Sequence, residues 1–345
     1  MRSADPVSGD RHCEAIRQVG IRSFVAVGPW RPPFPRKYSH WHGQSRRDVM
    51  VSFDDQMATC ETLIDRWHRR PDDRIHLCMS FPVYKPEDGV SGQQLSDLKE
   101  QARTVRDLSR RRKLLFTQDG HVKGSLKFAH DQFDLLGPDA LMAHSIDLTA
   151  EEIEVCRLTD TRIVHNPSSP MSDRGRCPVP ELLDAGVCVI LGSDGTAPNT
   201  SFDMFRHMFH GMHYHRTYYR DTDYLPPGKV LEMVTIDAAR ALGMEREIGS
   251  LEVGKKADII LLDMFQPHLV PLQMPVYRIL YFANGNDVDT VIVDGKILME
   301  KRMVRTVNER EILEMGLREA EAMLDRTQLR HLLKTPETFW GHTRY

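Results

Sequence analysis

Short apolar runs alternate with amphipathic stretches through the first two thirds of the chain. Apolar runs at 21–27, 75–81, 113–117, 140–145, 162–166 and 187–194 predict strands. Helical patterns separate several of them, for example over 52–69 and 92–112. Strands alternating with helices predict βαβ units and a parallel α/β sheet. The segment VCVILGSDG, ending at Gly195, is almost wholly apolar and then turns polar. A strand buried on both faces reads this way, with its chemistry at the C-terminal end. Thr149 and Glu152, in TAEE, form a capping box directly after the strand that ends in HSIDL. Gly243 suits the C-terminal cap of a helix over 236–242.

Past residue 246 the rhythm changes. GSLEVGKKADIILLD reads as turns followed by a strand. NDVDTVIVDGKILMEKRMV reads as a hairpin turning at Asp294 and Gly295. The pattern therefore predicts four parts. Residues 1–10 form a loose, polar N-terminus, 11–246 the α/β unit, 247–305 a small β domain, and 306–345 a helical tail. No internal repeat or low-complexity segment interrupts this order.

Composition narrows the function. The chain has 345 residues, 41% hydrophobic and 28% charged, as in ordinary globular proteins. A net charge of -3 gives no electrostatic case for nucleic acid or an anionic membrane. Six cysteines at 13, 60, 78, 156, 177 and 188 make no CxxC pair, as expected of reduced thiols in the cytoplasm. No apolar stretch approaches membrane-spanning length, and the N-terminus does not read as a signal peptide. No GxGxxG follows the first strand, which argues against a dinucleotide-binding fold.

Three polar residues stand at the ends of apolar strands: His144 in LMAHSIDL, His165 in RIVHNPSS and Asp194 in VILGSDGT. Singly, a strand-end histidine is usually structural, and an aspartate before glycine is usually a turn or a cap. Jointly, the C-terminal strand ends of a β/α barrel converge on one mouth. Imidazoles and a carboxylate gathered there suit Zn²⁺ or a similar cation.

LMAHSIDLTAEEIEVC, RIVHNPSSPMS and PVPELLDAGVCVILGSDGTAPNTSFDMF resemble the amidohydrolase superfamily. The nearest branch is the chlorohydrolase, cytosine deaminase and S-adenosylhomocysteine deaminase group. MVTIDAARALG and IGSLEVGKKADIILLD add to the resemblance, which covers residues 110–305. It implies a (β/α)8 TIM-type barrel of the metal-dependent hydrolase kind with a small β domain. The implied activity is hydrolysis of non-peptide carbon–nitrogen bonds, by deamination of a ring amine in a small-molecule substrate. The implied cofactor is a divalent metal, zinc first and iron or manganese as alternatives. His144 matches the strand-six histidine, a metal ligand or a contact to the attacking water. Asp194 matches the strand-eight aspartate, which binds metal and shuttles protons. His165 and Asn166 match the segment after strand seven that lies beside the substrate. Asn199 and Ser201 fall in the loop after strand eight, and Arg31 follows the first apolar strand; these are further substrate-side candidates. The resemblance also leaves room for a homo-oligomer.

The chain departs from the family pattern twice. The NxHxH of strand one has no counterpart near the N-terminus, and His40 and His42 form an HxH that reads as part of a polar loop, PRKYSHWHG. The expectation is that strands one and two lie outside this sequence, so the barrel here is incomplete at its N-terminus and runs from strand three. Strand five should supply a histidine ligand near 116–118, but the segment is KLLFTQDGHVKG. Asp119 or Gln118 is then the candidate acid. His121 is the candidate ligand, against the plainer reading of a surface-loop residue. A non-catalytic remnant that takes its missing strands from a partner is the alternative to an enzyme. His207, His210, His213 and His215 read as ordinary residues of a packed helix, and Met204, Met208 and Met212 as its core stripe.

Overall fold

The computed structural model describes residues 5–42, 45–69, 74–195 and 201–335, with 337, 339 and 341 beyond them. Its strands are β1 (Ser23–Val27), β2 (Arg36–His42), β3 (Ser45–Val51), β4 (Ile75–Ser80), β5 (Phe116–Gln118), β6 (Ala140–Ala143), β7 (Arg162–His165), β8 (Val189–Leu191), β9 (Ile259–Leu262), β10 (Val288–Val293), β11 (Lys296–Glu300) and β12 (Met303–Val304). The helices are α1 (Pro6–Val19), α2 (Phe53–Trp67), α3 (Gly92–Arg112), α4 (Ser125–Phe133), α5 (Ala150–Thr159), α6 (Val179–Asp184), α7 (Met204–Tyr219), α8 (Pro227–Met233), α9 (Ile236–Ala241), α10 (Pro275–Phe282) and α11 (Glu309–Thr327).

Six strands form one parallel sheet in the order β1-β4-β5-β6-β7-β8. Each predicted apolar run supplies one of them, in chain order. Among the described residues, β1 and β8 each pair on one side only. Alternate strand residues divide between two apolar clusters. The larger joins Leu77, Met79, Phe116, Met142 and Ile163 to the helices. The smaller, on the opposite face, joins Leu141, Ile190 and Ala241 to Val164 and Cys188. The period of two along each strand produces this division.

Caps set the helix starts. Ser52 and Asp55 form a capping box on α2, as Thr149 and Glu152 do on α5. Glu152 does more than the sequence predicts. Its other oxygen accepts from Leu126 N at 3.1 Å and Lys127 N at 3.3 Å, so one buried carboxylate holds the first turns of both α4 and α5.

Two predictions need correction. Residues 6–10 are not loose, because α1 begins at Pro6. The Asp5 side chain caps Val7 N at 2.9 Å, and Cys13 and Ile16 are buried in the core. The polar segment holding His40 and His42 is not a loop. It is an antiparallel hairpin of β2 and β3, registered from Arg36–Val51 to His42–Ser45. Its strands are largely exposed, so no apolar alternation marks them. The His40 ring reaches Asp5 at 3.1 Å, and its other ring neighbour is Tyr38 of the same strand.

β9 to β12 form an antiparallel sheet in the order β12-β11-β10-β9, with the β10–β11 turn at Asp294 and Gly295. It packs on the main core through Val288, Leu262, Val291 and Met299, and an ion pair ties it down beside β1. Arg22 binds Asp258 through Nε at 2.7 Å and Nη2 at 3.0 Å. Asp258 also accepts from Asp294 N at 2.9 Å. Burial opposes ionisation of this carboxyl, and the Arg22 guanidinium overrides it, so its pKa lies below the usual range. Asp258 is the aspartate of KKAD, so that part of the motif is a structural joint. Among the described residues no helix is long and apolar enough to cross a membrane. Arg22→Ala strands a largely buried carboxylate and should lower stability in urea by about 2 kcal/mol, with Arg22→Lys losing less.

Candidate active site

The strand ends make the site. After β6 and β8 the backbone enters the left-handed region at His144 (φ 69°), Ser145 (φ 52°) and Asp194 (φ 63°). Non-glycine residues take this conformation rarely, and cluster at functional sites when they do. The turns are pinned by backbone bonds. His144 N donates to Val164 O at 3.0 Å, and Gly192 N donates to His165 O at 2.8 Å.

The His144 ring is 3% exposed. Its Nε2 lies 2.9 Å from Asp119 Oδ1 and 3.7 Å from Asp194 Oδ2. Asn166 Nδ2 stands 3.4 Å from the same nitrogen, while Nδ1 is buried without a partner. Asp194 accepts from Ser169 Oγ at 2.7 Å and from Gly195 N at 2.6 Å. The structure thus brings His144, Asp194 and the candidate acid Asp119 together. Neither Ser169 nor its bond was foreseen, although Ser169 sits three residues after Asn166 in HNPSS. Gly192 makes the approach of β7 and β8 feasible. A Cβ there would stand 2.3 Å from Asn166 Oδ1 and 2.9 Å from Val164 Cγ1.

His121 is not the surface-loop residue of the plainer reading. It is fully buried, with Nδ1 2.9 Å from Ser125 Oγ and Nε2 unpartnered. Its backbone bonds Ala143 O at 3.1 Å and Ile146 N at 3.0 Å, on either side of His144. Burial, with the His144 ring adding to it and Asp119 opposing, pushes its pKa down to about 3.

His165, expected beside the substrate, is buried at the end of β7. It is fully buried against α7, its ring 5.3 Å from that of His215, and neither ring has a hydrogen-bonded nitrogen. Burial, then His215, holds the His165 pKa well below 6.5. Burial, then Arg176, pushes His215 down to about 4. His207 and His210 both bind Ser168 Oγ, at 3.0 and 3.1 Å. Ser201 Oγ accepts from Asp203 N at 3.1 Å, just before α7. Asn199 lies outside the described residues.

Arg31 lies over the Tyr84 ring at 4.4 Å and binds Asp88 at 3.2 Å as well as Val83 O. With Asp119, Lys85 and Asp88 it bounds a cleft of about 340 Å³, so Arg31 and the site carboxylate share one space. Among the described residues no group of three or more His, Cys, Asp or Glu side chains is placed to hold a metal ion.

The amidohydrolase family model matches residues 111–298, more than half of the chain. The chain belongs to the amidohydrolase family. It is 42% identical over 299 residues to the 5-methylthioadenosine/S-adenosylhomocysteine deaminase of Caldanaerobacter subterraneus subsp. tengcongensis, covering 86% of this chain and 65% of that protein. It is 37% identical over 243 residues to the 5'-deoxyadenosine deaminase of Methanosarcina mazei, covering 68% of this chain and 56% of that one. This amidohydrolase-family chain thus spans between half and two thirds of these relatives. Solved folds agree. An adenosine deaminase from Xanthomonas campestris with bound zinc superposes with TM-score 0.75 at 23% identity, covering 93% of this chain and 69% of its own. An atrazine chlorohydrolase from Arthrobacter aurescens complexed with zinc gives TM-score 0.70 at 20% identity, covering 88% and 67%.

Gly192→Ala should force Asn166 off His144, costing about 1–3 kcal/mol in stability, as overpacking does; urea denaturation reads it. His165 and His215 are neutral in the fold, with pKa values lowered below 6.5. Between those values and 6.5 the unfolded chain binds more protons, so stability should fall as pH drops from 6.5 toward 4. Urea midpoints of chelator-treated protein at pH 7.5 and pH 5 check this, and His215→Phe should make the dependence shallower.

Proposed function

We propose that the chain hydrolyses the carbon–nitrogen bond of a ring amine, releasing ammonia, with a divalent cation held by His144 and Asp194. The observation that carries this is the placement of His144 Nε2, 2.9 Å from Asp119 and 3.7 Å from Asp194, at the C-terminal ends of parallel strands. The donor chemistry fits such an ion. Two carboxylates stand beside His144 Nε2, and His121 Nε2 is buried without a hydrogen-bond partner. Imidazole and carboxylate together suit zinc, iron or manganese. Bound there, the cation supplies acidity to the attacking water, moving its pKa toward neutrality.

The chain's own residues do the rest. Asp194 passes the protons of the water on, one to the ring nitrogen and one to the leaving nitrogen, so N=C–NH₂ and H₂O become HN–C=O and NH₃. Ser169 Oγ and Gly195 N hold that carboxylate in orientation. Asn166 steadies the His144 ring. Arg31 and Asp119 bound the cleft through which a ring substrate reaches these atoms. The names of the relatives favour an adenine nucleoside without its 5′-hydroxyl as the first substrate to test.

Ammonia release from 5′-deoxyadenosine, cytosine and an aminotriazine, by purified chain supplied with zinc, tests the reading. Asp194→Asn should lower kcat by about 10²-fold or more, the usual worth of a general acid–base group. Equal rates for the variant and the wild type, or no ammonia from any of the three, would overturn it.

A further inference from the structure

We infer that a cleft at the N-terminal ends of the parallel strands, at the far end of the sheet from His144 and Asp194, binds a small organic anion: a phosphate ester carrying a flat ring. The cleft has a volume of about 570 Å³, within the usual range for small-molecule sites. It is built where strands begin. Phe24 and His76 stand near the starts of β1 and β4, Leu115 and Asp139 directly precede β5 and β6, and Arg162 opens β7. In a parallel sheet these positions share one end, and the turns after β6 and β8 share the other.

Charge decides what kind of ligand the cleft accepts. Four cations line it, Arg69, Arg110, Lys113 and Arg162, against two carboxylates, Asp139 and Glu247. Both carboxylates are engaged outside the cleft. Asp139 binds Arg106 at 2.7 and 2.6 Å, and Glu247 binds Lys256 at 2.8 Å. Burial opposes ionisation of Asp139, and the Arg106 guanidinium overrides it, so its pKa lies below the usual range. Among the described residues, only Arg110 of the four cations has an acidic partner, Asp134 at 3.0 Å. Arg162 Nη1 donates to Ala241 O at 2.8 Å, which anchors the guanidinium without neutralising it. The side chains of Arg69 and Lys113 have no hydrogen-bond or ion-pair partner among the described residues. Arg69 and Lys113 do follow the ends of α2 and α3, where helix dipoles attract cations. Two such dipoles amount to roughly one negative charge together, too little to balance three full positive ones.

The walls select the rest of the ligand. Leu77, Leu114, Leu242 and Met244 give the cleft an apolar side. The half-buried Phe24 ring is held by stacking on buried His76, with centroids 4.5 Å apart and planes within 12°. Phe24 thus presents a fixed aromatic surface to a second ring. Guanidinium and ammonium groups beside such a surface suit a phosphate oxyanion on an aromatic body.

Calorimetric titration of the full chain with phenyl phosphate, at low salt and with chelator present, tests the inference. Chelator keeps any cation at the strand-end site out of the measurement. Phenyl phosphate should bind more tightly than inorganic phosphate, phenol should give no heat of binding, and affinity should fall as salt is raised. Lys113→Gln and Arg162→Gln should each weaken phenyl phosphate about 10-fold, the usual worth of a hydrogen bond to a charged group. Phe24→Leu should weaken phenyl phosphate and leave inorganic phosphate unchanged. Arg31→Gln, at the other end of the sheet, should change neither. If Arg162→Gln fails to fold, the exposed pair Arg69→Gln and Lys113→Gln decides the matter. No binding at low salt, no preference over inorganic phosphate, or binding indifferent to Lys113→Gln but lost in Arg31→Gln would overturn the inference.

Discussion

The close approach of β7 and β8 at their C-terminal ends is the constraint on which the site depends. Asn166 fills the space that any side chain at 192 would need. With glycine there, Asn166 can sit beside His144 while the chain, two residues on, delivers Asp194. The left-handed turns at His144 and Asp194 complete the geometry. They carry strain of order 1–3 kcal/mol each, and the backbone bonds to Val164 and His165 hold them in place.

Behind this rim lies a layer of groups that fix orientation rather than react. Glu152 caps two helices at once, α4 carries Ser125, and Ser125 meets His121. On the other side, Ser169 and Gly195 hold Asp194. Buried imidazoles kept neutral by their surroundings are a consequence of placing so many polar strand ends in a dry interior. Their neutrality makes the fold sensitive to acid.

Much of this was legible in the sequence because it depends on local pattern. Apolar runs located all six parallel strands, since strands buried on both faces leave a continuous signal. TAEE and Asp294–Gly295 are short-range devices and read correctly. His144 and Asp194 were visible as polar residues closing apolar strands. What was hidden depends on contacts distant in sequence or on exposed structure. The β2–β3 hairpin is charged on both faces and has no apolar period. α1 begins in a polar stretch whose only early sign is Asp5 before Pro6. The burial of His121 follows from the packing of β5 against the β6 turn, which the polar segment QDGHVKG conceals. The packing of His165 against His215 of α7 was hidden too, because it joins residues fifty positions apart.

The central claim is that His144 and Asp194 share one cation at the strand ends. Anomalous diffraction from crystals of the chain grown with zinc tests it most directly. The account predicts a peak within about 2.0–2.2 Å of a His144 ring nitrogen and an Asp194 carboxylate oxygen. A peak elsewhere, or none at full zinc occupancy of the solution, would contradict it.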